Sequence, residues 1–534
     1  MGHKFRSGAA PDQVMLMPAD PREWLPAGHL AWRVLELAGE MDLSRFGASY
    51  RPDGQGGRPY HPRMMATLLL YCYCRGRRSS REIEMATFDD VGARVICGGL
   101  HPDHSTVAEF VRRHLEAVLA LLPESVKACA REGLVSLDLV AGDGTKLKAN
   151  ASMASNVTAA QLDAQIAELE DLIAAEFRQW ARDMLDEDAP APSPAGGPGN
   201  GAADGKKPKK KPKRAEQALE RRKAARAQLQ SRQDAKNQQE LQPRIAELAT
   251  RVEKKEAGVA RWEAAAAARM EERARRTAAG QRIPGTRPIT SAGQDREVKR
   301  ARQSLARARA DYDAAAQAAA PAGDPDAKVN TADPSSLVMP LKKGGFDQLH
   351  NVQALATART QVILAIMRHP SPVDVQALPA LMEKARETLL AAGITDEILS
   401  ALFDAGYASD ANFTLDIPAI LYIAVTREAR QTGRSADGRA PKTMLPSWED
   451  MTARLGTPEG RELYRQRAAT IEPVFAQLTA RLGRTLNYRG GHADAELALW
   501  AASHNILKAI TARTRRPARQ ARAAATAAPA LAAA

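Results

Sequence analysis

The sheet-forming part of this chain is interrupted. Strand-like segments, residues 134–140 and 346–368, stand on either side of a long block of helical spacing, about 155–320. In that block Leu162, Ile166, Leu169, Ile173, Phe177, Trp180 and Met184 recur every three or four residues, the mark of a helix packed on a partner. The sheet must therefore assemble from segments brought together across a helical insertion. Asp186 to Arg214 is a low-complexity linker, rich in Pro, Gly and Ala and then in Lys206-Lys207-Pro208-Lys209-Lys210-Lys211, and is read as disordered. Further helices are expected over about 214–278 and 293–319. Two readings of the block stay open: a helical hairpin with a solvated charged face, or a lysine run that tracks DNA phosphate.

A chain of 534 residues has room for two or three domains, and its 44% hydrophobic content supports a core. Abundant Ala and 4% aromatic residues favour helix. The net charge of +13 suits a polyanionic partner, although a GC-rich coding sequence also enriches Arg and Ala. Cys72, Cys74, Cys97 and Cys129 show no paired C-x2-C spacing, which argues against structural zinc and against a disulfide framework. Met1 to Met17 lacks a continuous apolar run, so no signal peptide is expected. The longest apolar run near the front, Met64 to Tyr71, falls far below the roughly 20 residues of a membrane span. A cytoplasmic protein with no membrane partner is the expectation.

Residues 1–130 read as an all-helical domain. Trp24, Leu25, Leu30, Val34, Leu35 and Leu37 follow helical spacing, and His61 to Tyr73 is a second apolar helix. Ser79 or Ser80 then caps a third. Thr106 with Glu109 fits a capping box opening a fourth, which ends in Arg112, Arg113 and His114. A DNA-binding helix-turn-helix and a plain helical bundle both fit these short helices and basic turns.

The strand over 134–140 is expected to end at Gly142-Asp143-Gly144-Thr145. After the insertion come strands at 346–357 and 361–368, a helix at 373–392, and a strand at 398–403 that ends in Asp404-Ala405-Gly406-Tyr407. A strand at 419–425 and helices at 459–482 and 494–511 follow. A meander of three strands and then strand–helix alternation predicts an α/β fold: a ribonuclease-H-like mixed sheet flanked by helices, with an N-terminal all-helical domain and a coiled-coil-like helical insertion. The expected divisions are 1–130, 131–154, 155–320, 321–511 and an Arg/Ala-rich disordered tail, 512–534. Asp143 and Asp404 on adjacent strand ends would make a hard-oxygen site for a divalent cation. Glu472, at the edge of the apolar helix face formed by Ile471, Val474, Phe475 and Leu478, would be the third acid. Taken singly, an Asp after a strand is most often a turn former, and a Glu on a helix is most often solvated.

Several ordered segments resemble a known family. These are Arg58-Pro59-Tyr60-His61-Pro62, Gly98 to Thr106, Gly142-Asp143-Gly144-Thr145-Lys146 onward to Ser152, and Asn330 to Met339 with Lys343 to Gln353. They continue with Asp404-Ala405-Gly406-Tyr407, Glu459-Gly460-Arg461, Tyr464 to Arg467, Glu472-Pro473-Val474-Phe475 and His504 to Lys508. The chain resembles DDE transposases of bacterial insertion sequences, in the group numbered eleven-eighty-two. The resemblance implies Asp143, Asp404 and Glu472 as catalytic metal ligands. They would hold two Mg2+ ions, with Mn2+ as a substitute, for cleavage of insertion-sequence ends and strand transfer into target DNA. It gives Tyr464 and Arg467 the role of holding DNA phosphate, with Lys146, Arg481, Arg112 and Arg113 as further DNA contacts. It implies double-stranded DNA, terminal inverted repeats and target alike, as partner, a homodimer on the DNA ends, and a place in the bacterial nucleoid. One departure stands out: the Lys expected seven residues after Glu472 is Thr479, for which Arg481 is a substitute of different reach. The alternatives are a DNA-binding protein whose transposase-like domain is inactive, and a ribonuclease-H-like nuclease that does not join strands.

Overall fold

The computed structural model describes residues 20–48, 50, 59–187, 213–236, 241–281, 291–318, 327–341, 344–425 and 446–531. Most of the Pro/Gly/Lys linker, including Lys206 to Lys211, as well as Arg58 and Lys343, lies outside the described residues. The chain divides into two compact units, Met1–Met153 with Ser335–Ala534, and Ala154–Pro334.

Among the described residues of the first unit, seven α-helices precede the sheet: α1 (Leu30–Glu40), α2 (Pro62–Cys74), α3 (Ser80–Asp89), α4 (Val91–Cys97), α5 (His104–Arg113), α6 (Leu115–Leu119) and α7 (Leu121–Arg131). The region around Trp24 is a short 3-10 turn, Pro21–Trp24, and the first described α-helix starts at Leu30. α2 is buried without a break from Met65 to Cys74, as expected of a helix that is apolar all round. α3 starts at a full capping box between Ser79 and Glu82. α5 does not start at Thr106: the carboxylate of Asp103 accepts from the Ser105 and Thr106 amides at 2.9 Å, and an acid before the first turn caps better than a hydroxyl inside it.

The sheet has six strands: β1 (Val140–Lys148), β4 (Leu337–Pro340), β5 (Phe346–Thr357), β6 (Ile363–His369), β7 (Ser400–Phe403) and β8 (Ile420–Ile423). β5 pairs antiparallel with β1 along one edge, and with β4 and then β6 along the other. β7 runs parallel to β1, and β8 runs parallel to β7. The result is a mixed sheet. Residues 134–139, expected as the first strand, only lead into it, and the ladder begins at Val140. The glycines around Asp143 therefore do not end the strand, because β1 continues to Lys148 in register with β5.

Helices α12 (Ala377–Ala391), α14 (Pro446–Gly456), α15 (Pro458–Leu482) and α16 (Gly491–Leu531) pack on this sheet, with a one-turn α13 (Asp410–Phe413) between α12 and α14. α16 extends past Thr511, as its Ala-rich sequence favours. It also packs against α2, α6 and α7, so the N-terminal helices and the sheet share one core. Asn505 joins them: its side chain donates to the Ile363 carbonyl and accepts from the Ile363 amide, both at 2.9 Å, which satisfies β6 as a neighbouring strand would.

The second unit opens and closes with a two-stranded ribbon, β2 (Asn156–Thr158) against β3 (Lys328–Asn330). Between them α8 (Ala159–Glu187) packs on α9 (Lys213–Lys236), and α10 (Gln242–Ala278) on α11 (Arg296–Ala318). Its small apolar cluster holds Leu162, Ala225, Leu229 and Val329. Among the described residues of the expected apolar face of α8, Leu162 is buried and Phe177 is exposed. Exposed ion pairs such as Arg226–Asp163 at 2.7 Å and Arg309–Glu256 at 2.6 Å cross the helix pairs, and each contributes little.

Candidate active site

Side chains alternate along β1. Gly142, Gly144 and Lys146 point to one face, and Asp143 and Thr145 to the other. The two faces receive different partners. On the glycine face, a Cβ on Gly142 would run into the Phe403 ring and come within 3.1 Å of Leu355 Cδ1. A Cβ on Gly144 would lie 2.6 Å from Gln353 Nε2 and 2.9 Å from Asp374 Oδ1. The Gly-Asp-Gly pattern thus serves close approach within a strand, not a turn.

On the other face stands α15. Arg467 Nη1 donates to Asp143 Oδ2 at 3.2 Å, and its Nη2 lies 3.9 Å from Glu472 Oε1. One turn earlier Tyr464 donates its hydroxyl to the Phe403 carbonyl at 3.2 Å, which ties α15 to the end of β7. Asp404 follows directly, with Oδ1 accepting from the Gly406 amide at 2.9 Å.

The Asp143 side chain is 21% exposed. Burial and then the Asp404 charge hold its carboxyl above the usual aspartate range, against the pull of the Gly144 amide and Arg467. Burial alone would lower the Arg467 guanidinium, but Tyr464, Asp143 and Asp404 hold it above its ordinary value. The Glu472 side chain is 63% exposed, at the rim. Among the described residues no three His, Cys, Asp or Glu side chains converge closely enough to hold a metal ion as a set. The donor chemistry of the Asp143–Asp404 pair still fits a hard cation: of the two carboxylates, Asp143 is largely buried and held against ionisation by burial and by the Asp404 charge, with one arginine opposing.

The structure therefore brings Asp143, Asp404, Tyr464 and Arg467 together, with Glu472 beside them. The other expected DNA contacts lie elsewhere. Lys146 projects from the opposite face of β1, exposed. Arg112 pairs with Glu109 at 2.6 Å, and Arg113 lies over the Tyr50 ring at 4.9 Å. Arg481 has Nε and Nη2 buried with no hydrogen-bond partner among the described residues.

Behind the site stands a polar network that the sequence pattern does not announce. Asp374 accepts from Asn351 Nδ2 at 2.9 Å and from Gln353 Nε2 at 2.7 Å. The buried Tyr407 hydroxyl donates to Gln353 Oε1. Burial first, then the charges of Asp374, Asp143 and Asp404, hold the Tyr407 phenol far above its usual value, so it remains a donor. The available signal was the pair Asn351 and Gln353, polar on either side of Val352 and directly before the apolar run Ala354-Leu355-Ala356.

Residues 19–113 match a family model described as a transposase domain (DUF772), and residues 435–510 match one described as a transposase DDE domain. The second match includes Tyr464, Arg467 and Glu472, while Asp143 and Asp404 lie outside both. No curated protein and no solved structure matches the chain. The two family matches support an insertion-sequence DDE transposase. No described helix is long and apolar enough to cross a membrane.

Proposed function

We propose that this protein cleaves DNA at insertion-sequence ends and joins the freed ends to target DNA. The observation that carries the reading is the pair Asp143, on β1, and Asp404, directly after the neighbouring parallel β7, beneath the helix of Tyr464, Arg467 and Glu472. The path β6-β5-β1-β7-β8, antiparallel on one side of β1 and parallel on the other, supports a ribonuclease-H-like sheet. The two family matches support the DNA substrate.

Asp143 and Asp404 would hold divalent cations, Mg2+ or Mn2+, with Glu472 as third carboxylate. The bound ions would supply Lewis acidity toward the scissile phosphate and its attacking oxygen. In cleavage, a water oxygen bonds to phosphorus while the bond to the 3′ oxygen breaks, leaving a 3′-OH and a 5′-phosphate. In joining, that 3′ oxygen bonds to a target phosphorus and the target's 3′ oxygen leaves, so one phosphodiester replaces another. Arg467 orients Asp143 and offers N–H donors to the non-bridging phosphate oxygens. Tyr464 fixes the position of α15. Two ends would be held by a homodimer, in the bacterial nucleoid.

Asp404→Asn should lose Mg2+-dependent cleavage of terminal-repeat DNA while DNA binding stays near wild type. Cleavage unchanged in that variant would overturn the assignment. A second reading, a DNA-binding protein without catalysis, is favoured by the exposed position of Glu472. It requires salt-sensitive DNA binding with no cation-dependent nicking of supercoiled DNA by the wild-type chain.

A further inference from the structure

A cavity of about 1050 Å³ opens between the end of α7, the β5–β6 turn, α15 and α16. Its lining is strongly basic, with Arg131, Arg359, Arg481, Lys508 and Arg515. The acid among the described lining residues, Glu132, is engaged by Arg513 at 2.7 Å. His504 adds no charge: burial holds its pKa down to about 4, and its Nε2 donates to the Gln361 carbonyl at 2.9 Å. Lys508 Nζ has a neutral partner, Gln361 Oε1, at 3.0 Å.

Arg481 is the most demanding of these groups. A buried guanidinium with Nε and Nη2 unpartnered is costly to the fold unless an anion meets it. A planar fork of N–H donors also suits phosphate better than a hydrated monatomic anion. The chain links this cavity to the acidic site. Arg467 and Arg481 lie on the same helix, 14 residues apart (481 − 467), or roughly 21 Å along its axis at 1.5 Å per residue. That distance corresponds to roughly six base-pair steps of duplex at 3.4 Å each.

We infer that this cavity binds the phosphodiester backbone of a DNA strand extending from the Asp143–Asp404 site, with Arg481 at its wall and Arg359 and Arg515 at its mouth. The phosphate chemistry comes from the cavity. The choice of DNA rather than a free polyphosphate rests on the function proposed above.

Arg359 and Arg515 are exposed, so replacing them leaves the core untouched. The test measures binding of a labelled terminal-repeat duplex by the full chain across a salt series. It compares wild type, Arg359→Ser with Arg515→Ser, and the exposed control Arg465→Ser. The double variant should bind about tenfold more weakly and lose about 1.5–2 from the slope of log affinity against log salt, whereas the control should change neither. If wild type binds and the double variant keeps its affinity and slope, the cavity assignment is overturned while the proposed function stands. A parallel arm follows the melting temperature with pyrophosphate. Stabilisation that Arg481→Met abolishes, in a wild-type chain that binds no DNA, overturns the DNA assignment and the proposed function together, leaving a site for a free polyphosphate.

Discussion

Gly142 lies against the ring of Phe403 so closely that a single added methyl group would overlap it. Each of these residues directly precedes an aspartate, Asp143 on β1 and Asp404 after β7. The contact therefore sets how near the two carboxylates come. Tyr464, hydrogen-bonded to the Phe403 carbonyl, places α15 on the same reference point.

Gly142→Ala should therefore act on both stability and chemistry. Overpacking of this kind costs about 1–3 kcal/mol, visible as a lower denaturation midpoint. DNA cleavage should fall further than the folded fraction does, because β1 and β7 must part to admit the methyl. Gly39→Ala is the control: it lies in α1 with open space around the new methyl, so it should leave cleavage unchanged and, if anything, raise the denaturation midpoint slightly. Equal losses of activity and folded protein in Gly142→Ala would remove the argument that this contact spaces the acids.

Much of this arrangement was legible in the sequence, and the misreading is informative. Strand–helix alternation after residue 346 indicated a mixed sheet, and the Gly-Asp-Gly and Asp-Ala-Gly-Tyr segments pointed to the acids. The strand's position was wrong because glycine was read as punctuation. Only the neighbours, Phe403 on one side chain position and Gln353 with Asp374 on the next, show why a strand needs glycine there. Those neighbours are distant in sequence, so no local pattern reports them. The length of α16 was underestimated for the opposite reason: an Ala-rich tail looks featureless but is strongly helix-favouring. Asp374 was missed because a loop acid has no spacing to mark it.

Asp143 gives the pH dependence its sign. Its folded pKa is raised, so the folded state holds the proton more tightly than the unfolded chain does. Without cation, the Asp143 contribution to stability is therefore largest in acid and is lost as pH rises through the raised pKa. A bound divalent cation reverses the preference, because it competes with the proton. The stabilisation produced by Mg2+ in thermal melts should thus be full at neutral pH and vanish on the acid side, at a pH above the ordinary aspartate range. Mg2+ stabilisation that does not vary with pH would contradict this.

Arg467→Gln should shift that dependence. Arg467 pulls the Asp143 pKa down, so its removal should move the acid limit of Mg2+ stabilisation to higher pH. Isothermal titration with Mg2+ across a pH series reads the shift directly. Arg467→Lys should restore part of it through charge alone, while losing the second N–H donor near Glu472. An unmoved limit in Arg467→Gln would show that Arg467 does not influence Asp143.

Tyr407→Phe tests the network behind the strand. The change removes one hydroxyl and leaves Gln353 Oε1 buried without its donor, at a cost of about 1–3 kcal/mol. Gln353 then loses the contact that orients its Nε2 toward Asp374. Denaturant titration should show the loss with an unchanged slope. Stability equal to wild type would mean that water replaces the phenol and that the network does not hold Gln353.

Gln361 offers a test at the β5–β6 turn. It has a left-handed backbone, φ 59°, a strained conformation for a residue other than glycine. Its side chain offsets that strain. Pro473 within α15 has no N–H for the Ala469 carbonyl, and Gln361 Nε2 donates to that carbonyl at 3.2 Å instead. Gln361 Oε1 meanwhile accepts from Lys508 Nζ at 3.0 Å. Gln361→Ala keeps the backbone strain and loses these two bonds together with a third from Gln477 Nε2 at 3.4 Å, so it should destabilise by about 1–3 kcal/mol. Gln361→Gly loses the same bonds but relieves the strain, so it should be the milder of the two in chemical denaturation, contrary to the usual ranking of glycine below alanine. If glycine proves the more damaging, backbone strain at Gln361 is not the governing term.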